Sequence, residues 1–255
     1  MEFDLSGKIA VITGASSGMG WAIALAYAEH GADLVVTARS KAKLDALVQE
    51  ITALGRRAFP VVADLLEPAQ AAIPVEAAIK EFGRVDILVN NAGGASVYVE
   101  GGTAPLLTTT LQSAEELFRL NTFAPMIAAQ AAAKDMIKRG SGVIINVTSA
   151  SGHNPGPEVQ AYGGAKAALH MMSVAWTKEL GPHGIRVNEI IPGAVETNNL
   201  ANRIATPEGR AIMEGISALG RLGRPDHIAA AALYLASNEA DWVSGAALRV
   251  SGGLF

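Results

Sequence analysis

An α/β fold with one parallel sheet of about seven strands, doubly wound by helices on both faces, is what this sequence predicts. Three observations carry the prediction. Apolar runs of strand length alternate with helix-length stretches from one end of the chain to the other. Those runs are mostly apolar rather than strictly alternating, the mark of strands buried on both faces by covering helices. The first of them passes directly into a glycine-rich turn. With 255 residues, 50% hydrophobic and 17% charged, the chain can bury one substantial core and requires no second one, so residues 1–255 are read as a single domain.

The runs are 8–13 (KIAVIT), 33–37 (DLVVT), 58–63 (AFPVVA), 87–90 (ILVN), 142–147 (GVIINV), 185–190 (IRVNEI) and 247–250 (ALRV). After the first comes Thr13-Gly14-Ala15-Ser16-Ser17-Gly18-Met19-Gly20, with a helix expected from near Trp21. In a strand-turn-helix unit, glycines let a pyrophosphate approach backbone donors at a helix N-terminus, so this turn reads as a dinucleotide cradle. At the end of the second run stand Arg39 and Ser40 and no carboxylate. A carboxylate there would grip a ribose 2′-hydroxyl; a guanidinium suits a 2′-phosphate, so NADP(H) is favoured and NAD(H) is possible. Asp64, with Leu65 beside it, follows the third run where a carboxylate can accept from an adenine amino group. Asn90-Asn91-Ala92-Gly93 closes the fourth, small enough for a ribose to lie against the chain.

Tyr162 and Lys166 are four residues apart in a helix-forming run, which stacks them on one face. A nearby cation lowers a phenol's pKa by roughly 1 to 3 units, which would make Tyr162 a proton donor and acceptor. Cysteine is absent, excluding thiol chemistry and disulfides, and the five histidines are scattered without ligand spacing, so no metal site is expected. A net charge of −4 and 5% aromatic residues do not meet the needs of nucleic-acid binding. The N-terminus lacks the pattern of a signal peptide, and no stretch reaches membrane-spanning length; a cytoplasmic protein is expected.

In their order along the chain, the 13–20 turn, Asn90 to Gly93, Asn121, Ser149, Tyr162, Lys166 and Pro192-Gly193 resemble the classical short-chain dehydrogenase/reductase family. The resemblance spans essentially the whole sequence and implies a Rossmann fold that interconverts a secondary alcohol and a ketone. It implies Asn121, Ser149, Tyr162 and Lys166 as the catalytic residues. Ser149 would steady the substrate oxygen and Tyr162 exchange its proton. Lys166 would lower the tyrosine's pKa and hold ribose hydroxyls, and Asn121 would position a water. The implied dinucleotide contacts are Gly14, Ser16, Ser17, Gly18, Met19, Gly20, Arg39, Ser40, Asp64, Leu65, Asn91, Ala92, Gly93, Tyr162 and Lys166. Pro192, Gly193, Val195 and Thr197 would hold the carboxamide. Gly163 and Gly164, unfavourable in a helix by roughly 1 kcal/mol each, imply close approach of a neighbouring subunit and, with the resemblance, a homotetramer.

Specificity is expected from loops 94–110, 151–158 and 194–215. The first carries Tyr98, Val99, Leu106 and Leu107 and reads equally as a cover over the site or as a surface insertion without a role; the third is read as a mobile lid of small helices. The loops mix apolar and amide side chains without convergent arginines, which suits a small, mostly apolar hydroxy or keto compound. Strings at 90–94, 206–208, 219–237 and 242–253 are similar to bacterial 7α-hydroxysteroid dehydrogenases, implying a steroid or other alicyclic alcohol. Lys134, Lys138 and Arg139 offer an alternative, a reductase of carrier-bound 3-oxoacyl thioesters with a basic docking group. A non-catalytic dinucleotide sensor is the distant one.

Overall fold

Each of the seven apolar runs becomes a strand. In a computed structural model that describes residues 3–95 and 103–254, they are β1 (Ile9–Thr13), β2 (Asp33–Ala38), β3 (Ala58–Val62), β4 (Ile87–Asn90), β5 (Gly142–Val147), β6 (Ile185–Pro192) and β7 (Ala247–Val250). All pair in parallel, in the order β3-β2-β1-β4-β5-β6-β7. Between them run α1 (Gly18–Glu29), α2 (Lys41–Ala53), α3 (Ile73–Phe82), α4 (Leu111–Phe118), α5 (Ala124–Arg139), α6 (Gln160–Leu180), α7 (Pro207–Gly215) and α8 (Pro225–Ala236). This is the Rossmann arrangement.

The period of two along each strand divides the apolar residues between two cores. Ala10 and Ile12 of β1 face α1, α2 and α8, while Ile9 and Val11 face α3, α5 and α6. Central strands β1 and β5 are buried throughout. The edge strands β3 and β7 alternate in exposure, and Pro60 is accommodated because it sits on an edge. Tyr27 ties two helices of one core together: its buried hydroxyl donates to the Ala232 carbonyl at 2.9 Å.

Strand order reverses direction between β1 and β4, so the loops leaving their carboxyl ends diverge and open a cleft. The opposite end of the same strands is closed by Asp86. Its buried carboxylate accepts the Ile9 amide at 2.9 Å and pairs with Arg84 and, at 3.0 Å, with Arg139. Arg139 also holds Asp135 at 2.9 Å, so it is committed within the chain rather than offered as part of a docking surface. Removing one partner of such a buried set leaves charge uncompensated. Asp86→Ala is expected to lower stability by about 3 kcal/mol, read as a lower urea midpoint.

Candidate active site

The glycine turn owes its shape to contacts that no side chain at those positions would permit. Gly14 has φ +68°, and a Cβ there would lie 2.8 Å from the Ala92 Cα. Asn91 clamps the turn from the neighbouring strand end: its side-chain amide donates to the Thr13 carbonyl at 2.8 Å and the Gly14 carbonyl at 3.2 Å. The Thr13 hydroxyl accepts the amides of Asn91 and Ala92, both at 3.0 Å. The helix begins at Gly18, not near Trp21. Glycine's weak helix propensity hides a start that the turn geometry sets.

Beside this turn lies a cavity of about 320 Å³, lined by Gly14, Ser16, Ser17, Arg39, Ser40 and Asp64, and also by Leu65, Ala92 and Gly93. A narrower gap beyond it is bounded by Gly18, Met19, Asn91 and Thr197. Thr197 lies over the turn, close enough that a Cβ on Gly18 would be 3.1 Å from its Cγ2. Gly20 serves from beneath, where a Cβ would stand 2.4 Å from the Gly14 carbonyl oxygen. Gly193 lies against Ser251, leaving no room for a side chain, and its amide donates to the Val250 carbonyl at 3.1 Å. Pro192 ends β6 in the interior, and the Val195 side chain is turned into a separate hollow with Leu222 and Ile228. A cleft with backbone brought close by glycine, serine hydroxyls, and the buried Asn91 Oδ1 without a partner fits a dinucleotide.

A second cavity, of about 590 Å³, has Ser149 and Tyr162 on its wall. Ser149 follows β5, its hydroxyl accepting the Ser151 amide at 3.1 Å. Tyr162 and Lys166 lie in the first two turns of α6, with the Lys166 Nζ 6.0 Å from the Tyr162 ring centroid. Burial raises the Tyr162 phenol above its ordinary pKa, and a hydrogen bond with Ser149 opposes that rise. Lys166 was expected to lower it. Instead its buried ammonium donates to the Val147 carbonyl at 2.9 Å, and burial brings the lysine itself down to about 8 against the pull of Glu189. A raised phenol alone marks no site: Tyr27 is raised by burial too, deep in the core.

Asn121 is fully buried in a five-residue π-helical segment, Arg119–Phe123, between α4 and α5. Its Oδ1 accepts the Gly94 amide at 3.0 Å while its amide donates to the Gly94 and Leu117 carbonyls at 3.1 and 3.0 Å. Gly93 brings the pieces together, since a Cβ there would lie 2.6 Å from Asn121 Oδ1 and 2.8 Å from Lys166 Nζ. Ser149, Tyr162, Lys166 and Asn121 thus converge where the two cavities adjoin at Gly93 and Gly94.

A family model described as enoyl-(acyl carrier protein) reductase matches residues 14–255. The chain belongs to the classical short-chain dehydrogenase/reductase family. It is 39% identical to 7α-hydroxysteroid dehydrogenase of Escherichia coli K12, covering 98% of this chain and 94% of that one. It is 37% identical to an L-rhamnose 1-dehydrogenase (NAD(P)+) of Sphingomonas sp. SKA58, covering 98% and 97%. A solved 7α-hydroxysteroid dehydrogenase complexed with NADH and 7-oxo glycochenodeoxycholic acid superposes with TM-score 0.92 at 38% identity, over 99% of this chain and 96% of that one. As a short-chain dehydrogenase/reductase, the protein is an oxidoreductase of CH–OH groups that uses a nicotinamide dinucleotide.

Other expectations for this short-chain dehydrogenase/reductase change in the structure. Gly163 is needed inside the chain, because a Cβ would be 2.5 Å from the Ser151 carbonyl oxygen; only Gly164 is exposed. Leu106 and Leu107 are 73% and 95% exposed and do not cover the site, while Tyr98 and Val99 lie outside the described residues. Thr103 does line the substrate cavity, as do Leu200 and Met213 from the 194–215 loop, whose one regular helix is α7. Leu254 also lines it; Phe255 lies outside the described residues. Lys43, one turn beyond Arg39, and Arg203 at the substrate cavity were not anticipated. Each sits in a helix or loop where only the fold reveals its direction. The histidines, scattered in sequence, are not all scattered in space, for His153 and His170 both face Glu189.

Proposed function

We propose that this enzyme interconverts a secondary alcohol and a ketone on a mostly apolar, alicyclic substrate of steroid-like size, with NADP(H) as the favoured cofactor. The cavity beside Ser149 and Tyr162 carries the reading: about 590 Å³, walled by Ala150, Pro157, Val159, Leu200, Met213 and Ile216. Arg203 stands on the same wall, 4.0 Å from Glu158, and offers a cation to an acidic tail. The resemblance to hydroxysteroid dehydrogenase supports the same substrate class.

When bound, the nicotinamide dinucleotide supplies or accepts the hydride. The Ser149 hydroxyl donates to the substrate oxygen, and the Tyr162 phenol gives that oxygen a proton in reduction or takes one in oxidation. Lys166 holds positive charge beneath the tyrosine, anchored on the Val147 carbonyl. Asn121 pins Gly94, and so fixes the strand end from which both cavities open.

Absorbance assays in both directions over hydroxysteroids, cyclic ketones, sugars and acetoacetyl thioesters test the substrate. Steroid or cyclic ketone turnover is expected. Thioester-only turnover would favour the 3-oxoacyl-thioester reductase, the activity named for a Thermotoga maritima relative at 34% identity, with Arg139 held by Asp86 and Asp135 and only Lys134 and Lys138 left for docking. Cofactor binding without turnover on any of them would favour the sensor.

Arg39, Ser40 and Lys43 line one stretch of the dinucleotide cavity, a setting for a 2′-phosphate. Losing one charge-assisted bond of about 1.5 to 3 kcal/mol and adding repulsion should shift the NADP(H):NAD(H) ratio of kcat/KM at least about tenfold toward NAD(H) in Arg39→Asp. An unchanged ratio would refute the preference.

A cytoplasmic homotetramer completes the proposal. Exposed Phe123 and Met171 on the α5 and α6 side, and the open Gly164, support packing of a second copy there. Among the described residues no helix is long and apolar enough to cross a membrane. Light scattering should return four chains per particle.

A further inference from the structure

Glu189 is a carboxylate on β6, next to the edge strand β7, 2% exposed, at a place where an ionised group is costly without partners. Its backbone is fixed between β5 and β7. The Thr148 hydroxyl donates to Oε1 in a short bond, and two imidazoles converge on the same carboxylate. His170, one turn beyond Lys166 on α6, brings Nδ1 to 2.5 Å from Oε2. His153, from the loop after Ser149, brings Nε2 to 3.7 Å from Oε1. The rings meet edge-on with centroids 4.9 Å apart. The three ligand atoms all lie within 4.8 Å of one another.

We propose that His153, His170 and Glu189 form a binding site for a divalent cation of the zinc type. Two imidazole nitrogens and one carboxylate oxygen are a borderline donor set that suits zinc and not calcium or magnesium. A tetrahedral ion about 2.0 to 2.1 Å from each ligand keeps ligands about 3.3 Å apart. His153 faces Oε1 at 3.7 Å and His170 faces Oε2 at 2.5 Å, so an ion seated between the rings meets the carboxylate edge, and the His170–Glu189 pair opens by less than an ångström to admit it. Thr148 donates to Oε1 and so orients the carboxylate, as outer partners of metal ligands do. The histidine side chains are 22% and 27% exposed, which leaves an entry path and a fourth position for water. The ligands come from β6, α6 and the 151–158 loop. A bound ion therefore ties a wall of the substrate cavity to the sheet. It touches no reacting atom, so its role is structural.

The test uses tag-free, chelator-treated protein and zinc or cobalt(II) chloride as probe. Uptake of one ion per chain is expected, with visible cobalt absorption of tetrahedral strength that zinc displaces. His153→Ala and His170→Ala should each weaken zinc binding at least about 100-fold, while His183→Ala, remote from the cluster, leaves it unchanged. Zinc should also raise the melting temperature of the parent protein and not of the two cluster variants. His153 lies in a partly exposed loop, so that variant is expected to melt like the metal-free parent and to separate lost binding from lost folding. No uptake, or uptake equal in parent and cluster variants, overturns the proposal. Neither result bears on the oxidoreductase activity, which is assayed separately.

Discussion

Tyr162→Phe is expected to reduce kcat about 1,000-fold or more while the dinucleotide dissociation constant stays within about threefold of the parent. The substitution deletes one oxygen from a side chain on the substrate cavity wall and leaves the glycine turn and its Asn91 clamp intact. General acid or base catalysis contributes roughly 10² to 10⁴ in rate, and little else nearby can replace it. Ser149 is a neutral hydroxyl, and Lys166 is turned toward the Val147 carbonyl. The measurement is turnover by nicotinamide absorbance beside dinucleotide binding by fluorescence titration. Near-parental turnover would remove Tyr162 from the proton transfer.

The proposed proton transfer by Tyr162 carries a pH dependence with it. Burial raises the phenol above its ordinary value, so at neutral pH it is protonated and ready to act as an acid. Ketone reduction should be level through neutrality. Alcohol oxidation requires the phenolate and should climb about tenfold per pH unit below the phenol's pKa in the complex. Tyr162→Phe should abolish that slope. A wild-type oxidation rate flat from pH 6 to 9 would place the required base elsewhere.

The sheet's interior is legible because continuous burial leaves no ambiguity of period: 87–90 and 142–147, buried throughout, are strands with the bounds that composition suggests. The start of α1 is not legible, because Gly14, Gly18 and Gly20 suppress the propensity signal while serving the turn. Residues that act through spacing on one element, such as Tyr162 and Lys166, could be paired from sequence. Those that act across elements could not. Asn121 lies in a π-helical segment, whose altered winding has no compositional mark, and the residue it pins, Gly94, is 27 positions away. Glu189 reads as one of three polar residues, with Arg186 and Asn188, in the sixth strand until Thr148, His153 and His170 fold against it. The setting of Lys166 needs the fold as well: helical spacing gives the face, and the Val147 carbonyl receives the ammonium.

Gly20→Ala should be the most damaging single methyl group that can be added to the cofactor cleft. Gly20 has no positive φ, so its requirement is space and not backbone conformation. The new Cβ would meet the Gly14 carbonyl oxygen at 2.4 Å and Asn91 Nδ2 at 2.5 Å, and neither can retreat cheaply. The carbonyl belongs to the turn itself, and the amide is the clamp that joins that turn to β4 through Thr13 and Gly14. Relief requires α1 to move outward or the clamp to break, and either displaces the backbone donors from the positions that cradle a pyrophosphate. Overpacking of this kind costs about 1 to 3 kcal/mol, so unfolding should shift to lower urea, and the dinucleotide dissociation constant should rise about 100-fold or more. Gly164→Ala supplies the contrast, since its Cβ would be 3.9 Å from the Phe118 ring and inside an ordinary contact. Parental affinity in Gly20→Ala would mean that the turn can hold a dinucleotide without the close packing of Gly20 on Gly14, and that the glycine pattern at this helix start reflects something other than the cofactor.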